Sequence, residues 1–175
     1  MFDNELYSCN EKDTKYEEDK YRYSLGLPGK KMLLTIGLNP SKANKIRSDS
    51  TVTRVQKVLE KQDKKYDGFV MLNLYPERNP YFKNLDPEPN LDEFKRNLDR
   101  IVEIVKAQKN PEIWAAWGNS VLHHSYFVEA RDELFKRLKK YKVTWLRFGE
   151  LTKKGHPRHP SRLHYSWEFS DYEIK

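Results

Sequence analysis

Four short apolar runs punctuate the chain, Met32–Ile36, Phe69–Leu74, Ile113–Trp117 and Val143–Phe148, and each stops at a polar residue or a glycine. Runs of this length, rich in branched and aromatic residues, fit strands buried on both faces. The segments between them change period. Val52, Val55, Val58 and Leu59 fall on one helical face, as do Leu91, Phe94, Leu98, Ile101, Val102 and Val105. The second pattern has a start signal, Asn90 followed three positions later by Glu93. A third helix is clearest over Phe127–Leu138, through Ala130, Leu134, Phe135 and Leu138. The resulting order, β-α-β-α-β-α-β with helices of crossover length, predicts an α/β fold: a three-layer α/β/α arrangement around a mostly parallel four-stranded sheet. Residues 1–20 are polar and weakly patterned and read as a surface arm, leaving 21–175 as a single α/β domain. The segment Tyr75–Pro89 carries Pro76, Pro80, Pro87 and Pro89 and reads as a binding loop or a rigid connector.

Charge narrows the class of partner. With 33 Lys+Arg against 26 Asp+Glu the net charge is +7, which favours an anionic partner, DNA or a nucleotide. The competing reading is a solvated lysine-rich surface, since Lys57, Lys61, Lys64, Lys136 and Lys139 lie in helical stretches. The single cysteine, Cys9, excludes an internal disulfide and a cysteine-based metal site, and suits a reducing, cytoplasmic setting. No apolar run reaches the length of a signal peptide core or membrane span, so no membrane association is expected. The five histidines lack the His-x-x-x-His spacing of a helical metal pair, so no metal is expected. Nothing in the sequence asks for a partner copy, and a monomer is expected.

The polar residues that end the runs supply the candidate chemistry. The first strand delivers Asn39 and Ser41, the second Asn73, the third Gly118 and Asn119, and the fourth leads to His156, His159, Ser161 and Arg162. Parallel strands carry all of these to one edge of the sheet, where open α/β folds bind ligands. Each has a structural alternative. Asn39 before Pro40 is a good turn former, Asn73 can bond a neighbouring loop, and histidines in a proline-rich loop commonly serve as structural hydrogen-bonding groups. Asp49, Ser50 or Thr51 can cap the first helix, and Arg54 one turn in can reach a phosphate at that terminus. Arg78 and Arg162 are either solvated charges or phosphate contacts.

Taken in order, Gly37-Leu38-Asn39-Pro40-Ser41, Met71-Leu72-Asn73, Trp114-Ala115-Ala116-Trp117-Gly118-Asn119 and His159-Pro160-Ser161-Arg162-Leu163 resemble the motifs of the uracil-DNA glycosylase superfamily. The match spans about residues 31–163. The same landmarks, with Asp49 to Arg54 and Asn73 to Arg78, are also similar to an uncharacterised family of bacterial and phage domains. The first resemblance implies a DNA N-glycosylase, a hydrolase of DNA repair or base modification, that removes an altered base by water attack without a cofactor. In that scheme Asn39 orients the water, as in the mismatch-specific Gly-x-Asn-Pro branch, and His159 donates a hydrogen bond to the base oxygen. Asn73 reads the base edge within a pocket that includes Gly37, Leu38, Ser41, Gly118 and Asn119. Leu163 is the wedge that fills the vacated stack, and Arg54, Arg78, Ser161 and Arg162 meet the nucleic acid. Ser41 and Lys42 stand where the uracil-specific branch carries tyrosine and histidine. Two alternatives share the fold: a non-catalytic nucleic-acid or nucleotide-binding module, and an enzyme acting on a free nucleotide.

Overall fold

The computed structural model describes residues 6–13, 18–62 and 65–174. The four expected strands are present as β3 (Met32–Gly37), β4 (Gly68–Asn73), β5 (Glu112–Ala115) and β6 (Thr144–Phe148), all mutually parallel in the spatial order β4-β3-β5-β6. The sheet is nevertheless larger and mixed, not the four-stranded one expected from the pattern and from the glycosylase resemblance. β1 (Ser8–Asp13) and β2 (Glu18–Leu27) extend it antiparallel beside β4, and β7 (Phe169–Asp171) closes the other edge antiparallel to β6, giving seven strands among the described residues. Part of the segment read as a polar arm is therefore strand, while residues 1–5 and 14–17 lie outside the described residues.

Helices α1 (Ser50–Glu60), α2 (Leu91–Lys106) and α3 (Ser125–Leu138) form where the helical period lies. Two apolar cores follow from strand alternation, since successive side chains point to opposite faces. Leu34, Ile36, Val70, Leu72 and Ile113 face α2 and α3, whereas Leu33, Phe69, Met71, Trp114 and Leu146 face α1 and the C-terminal segment. Leu91 fits the period of α2 but lies in its first turn and is exposed. Asn90 caps that helix by accepting from the Glu93 N–H at 3.2 Å, but Glu93 does not complete a reciprocal box. Its buried carboxylate instead accepts from the Tyr23 hydroxyl of β2, which ties α2 to the sheet edge that the sequence pattern did not reveal.

The proline-rich loop after β4 is a pinned connector. The Tyr75 hydroxyl accepts from the Asn90 N–H at 2.9 Å, the Tyr126 hydroxyl donates to the Asp86 carbonyl at 3.2 Å, and Leu85 is buried. Its first residues pair with β2, Arg22 N–H donating to the Pro76 carbonyl and Arg78 N–H to the Lys20 carbonyl, each at 2.9 Å. Among the described residues no helix is long and apolar enough to cross a membrane.

Candidate functional site at the carboxyl edge

β3 ends at Gly37 directly opposite the last residue of β4, Asn73. A Cβ at position 37 would sit 2.9 Å from Asn73 Oδ1 and 2.9 Å from Met71 Cε, so only glycine lets the amide lie there. Asn73 is 1% exposed and its Nδ2 has no hydrogen-bond partner among the described residues. An unpaired buried donor costs about 1–3 kcal/mol. The polypeptide around it is held by Asn97, whose Nδ2 donates to the Asn73 and Leu74 carbonyls at 2.9 and 3.2 Å.

Asn39 lies two residues past the strand. Its Nδ2 donates to the carbonyls of Pro40, Glu77 and Asn79 at 3.1, 3.2 and 2.9 Å. Carbonyls accept only, so these contacts fix which end of the amide is nitrogen and leave Oδ1 as an acceptor with no partner among the described residues. The same contacts staple the loop after β3 to the loop after β4, so Asn39 is structural and chemically available at once. Two residues beyond Asn79 stands Tyr81, an aromatic ring 71% exposed whose N–H donates to Asn79 Oδ1.

Asp49 joins the next two parts. Its Oδ1 accepts from the Thr51 and Val52 N–H groups, capping α1, and its Oδ2 accepts from the Ala43 N–H at 3.3 Å. The Ala43 carbonyl accepts from Arg22 Nη1 at 2.7 Å. Arg22 is 2% exposed, its Nε is unpartnered, and it makes no ion pair among the described residues. Burial pushes its pKa down to about 10, with Arg78 adding to the effect and Asp49 opposing it. It therefore stays charged at neutral pH. Arg78 reaches across to the Lys42 carbonyl at 3.3 Å.

His159 arrives on the loop after β6. The turn Pro160–Arg162 packs against α1, and the ring senses the Asp49 charge. Burial is the main cause that pushes the imidazole down to about 4; Arg162 pushes the same way and Asp49 opposes it. The Ser161 N–H donates to Nδ1 at 3.2 Å and the Ser161 hydroxyl lies 2.9 Å from the same atom. A backbone N–H cannot accept, so Nδ1 is the acceptor and the single ring proton is on Nε2. At neutral pH His159 is an uncharged donor. Gly118 backs it: φ is +69° with ψ −173°, and a Cβ there would lie 3.1 Å from the His159 Cβ. Gly118→Ala should cost about 1–2 kcal/mol, because that backbone region belongs almost wholly to glycine, and should also displace His159. Urea denaturation checks the cost, and the ring proton shifts of His159 by NMR check the displacement. Asn119 accepts from the Thr152 hydroxyl at 2.6 Å, and Thr152 in turn accepts from the His156 N–H.

The edge therefore gathers Gly37, Asn39, Ser41, Asn73, Arg78, Gly118, Asn119, His159, Ser161 and Arg162, with Arg54 one turn into α1. Arg54 makes no hydrogen bond or ion pair among the described residues, and Arg162 is exposed. Two expected residues are placed otherwise. Leu38 is 4% exposed and belongs to the core beneath α2 and α3, and Leu163 is half-buried against the core beside α1. Arg22, Asp49 acting on Ala43, and Tyr81 were not anticipated as site residues. Arg22 had a signal, a lone charge in the apolar-rich stretch Tyr21–Leu25. Cavities of about 360 and 550 Å³ lie elsewhere, one between α2 and the β1/β2 edge, the other between α2 and α3. No group of three or more His, Cys, Asp or Glu among the described residues could hold a metal ion.

Fold and site define an α/β protein with a polar, cation-fringed carboxyl edge. A model of the family described as "Protein of unknown function (DUF1643)" matches residues 22–161, and the chain belongs to that family. The matched span begins at the buried Arg22 and ends two residues past His159. No curated protein and no solved structure matches the chain.

Proposed function

We propose that the carboxyl edge binds DNA and releases an altered or modified base by water attack on the N-glycosidic bond. The observation that carries this reading is the Ser161 N–H on His159 Nδ1, which leaves the proton of the neutral ring on Nε2. A neutral imidazole with its proton fixed on Nε2 can donate to a base oxygen as negative charge develops there, without first forming a charged pair with it. Cleavage of this bond leaves positive charge on the sugar and negative charge on the base, so a preorganised donor matters more than a strong nucleophile. Asn39 Oδ1, left as an acceptor by the three contacts of Nδ2, is the group that orients the water. The ordered likeness of the four loop motifs to the uracil-DNA glycosylase superfamily supports the same chemistry. Tyr81 offers a ring for stacking beside Asn39, and Arg54, Arg78 and Arg162 offer charge to phosphates.

A second reading has its own observation. Asn73, opposite Gly37, is buried, which favours recognition of a base or phosphate at the rim without chemistry beneath it. Incubation with oligonucleotides carrying a panel of modified bases, followed by mass spectrometry, separates the two. Excision predicts a liberated base and an abasic site from at least one member; binding to the panel with no base released would leave only the recognition module.

A further inference from the structure

Residues Asn44–Ser48 stand on the carboxyl edge as a small finger built on Asp49 and Arg22. At its base Ala43 is 0% exposed, with its N–H on Asp49 and its carbonyl on Arg22. At the far end Asp49 caps α1 and the Ser48 hydroxyl lies 3.2 Å from that of Thr53. Between them the turn closes on itself. Asn44 Oδ1 accepts from the Ile46 and Arg47 N–H groups at 3.0 and 2.9 Å, and the Asn44 N–H donates to the Arg47 carbonyl at 2.9 Å.

This turn holds out an apolar side chain. Ile46 is 73% exposed, more than Leu38 or Leu163, the two apolar residues singled out at this edge from the sequence. Lys42, Lys45 and Arg47 around it are exposed and make no ion pair among the described residues, and no acidic residue occurs between Leu38 and Asp49. A β-branched apolar tip on a hydrogen-bonded turn among uncompensated cations matches a base-paired duplex, whose stacked interior takes an apolar wedge while its phosphates take the charges. A lipid surface is matched less well, because interfacial binding draws on a broad apolar face rather than one side chain. The neighbouring groups on this edge, Asn39 and His159, are also hydrogen-bonding groups suited to bases.

We propose that the Asn44–Ser48 finger is a duplex-probing wedge: Ile46 enters the base stack of a DNA duplex beside the polar edge, and Lys42, Lys45 and Arg47 hold the flanking phosphates. The wedge rests on DNA being the partner of this edge, but not on any bond being broken there.

The test uses the full chain and a short duplex carrying 2-aminopurine, whose fluorescence rises on unstacking. Binding of the unaltered protein should raise the signal. Ile46→Ser should cut that rise at least about fivefold while weakening affinity less than about threefold, since the wedge unstacks and the phosphates supply most of the affinity. Lys45→Ser and Arg47→Ser should each weaken binding and lower the slope of log affinity against log salt by about 1. All three side chains are exposed, so melting temperatures should match the parent. An undiminished rise with Ile46→Ser, absence of duplex binding, or Ile46-dependent binding to phosphatidylserine vesicles in its place would overturn the proposal. Ile46-dependent unstacking with no base released from any substrate keeps the wedge and removes the excision reading. Base release together with an undiminished 2-aminopurine rise in Ile46→Ser does the reverse.

Discussion

His159→Ala is expected to lower base release at least about a hundredfold while leaving the fold in place, the size of effect that follows loss of one preorganised donor. Among the described residues the ring bonds only locally, to the Ser161 N–H and hydroxyl, so its removal should cost no more than about 1 kcal/mol of stability. His159→Gln separates donor from bulk: its side-chain N–H reaches close to where Nε2–H lies, and part of the rate should return. The pH profile supplies an independent reading. Because burial holds His159 near 4, the donor is already neutral across the physiological range, and the rate should stay level from neutral pH down to about 5 and fall only as pH passes through 4. An acid limb near 6.5 would mean a solvated ring and would remove the assignment. Stability follows the same sign. A histidine whose folded pKa lies below its unfolded value of about 6.5 favours the folded state above that pH. Its contribution is lost as pH falls from 6.5 to 4, because there the unfolded chain binds the proton and the folded chain does not. The loss is roughly 3 kcal/mol, and it should be missing from the variant when the two are compared by denaturant melts at pH 7 and pH 4.

How much of this was legible in the sequence depends on what each residue's role requires. The parallel strands β3 to β6 declare themselves because burial on both faces demands near-continuous apolar runs, and the helices because one face must repeat every 3.6 residues. β2 escapes that test. Its buried stretch alternates Tyr21, Arg22, Tyr23, Ser24 and Leu25, and Arg22 and Ser24 are as buried as their neighbours. β7 has three residues, too few to show any period. At the site, loop order placed Asn39, Asn73, Gly118 and His159 on one edge, since parallel topology alone guarantees it. Direction within a loop is not guaranteed. Leu38 and Ile46 are both aliphatic residues within ten positions of β3, yet one is buried under α2 and the other projects into solvent. The difference is made by the grip on Ala43 of Asp49, six residues on, and of Arg22, which reaches it from β2, a contact that no local pattern encodes. The tautomer of His159 is likewise a product of the turn it closes, not of its identity.

Asp49→Ala is expected to be the most damaging single change at this edge, costing about 2–4 kcal/mol in urea denaturation, because one carboxylate serves three purposes. Loss of the cap on Thr51 and Val52 accounts for about 1 kcal/mol by itself. Loss of the Ala43 N–H acceptor frees the base of the finger. The third purpose is electrostatic: Asp49 opposes the burial cost of the Arg22 guanidinium, which sits with Arg78 nearby and has no ion pair among the described residues. Removing the counter-charge leaves that cation buried against a like charge, a penalty larger than the loss of an exposed pair would carry. Asp49→Asn divides these contributions. The amide oxygen can still cap the helix, but it brings no charge, so about half of the cost should remain. If the asparagine variant were as stable as the parent, Arg22 would be tolerated without its carboxylate and the edge would be held by hydrogen bonds alone. Hydrogen exchange localises the effect: both variants should speed exchange at the Ala43 N–H, whereas the Ile46 and Arg47 N–H groups, held by Asn44, should loosen only once the base of the finger has opened.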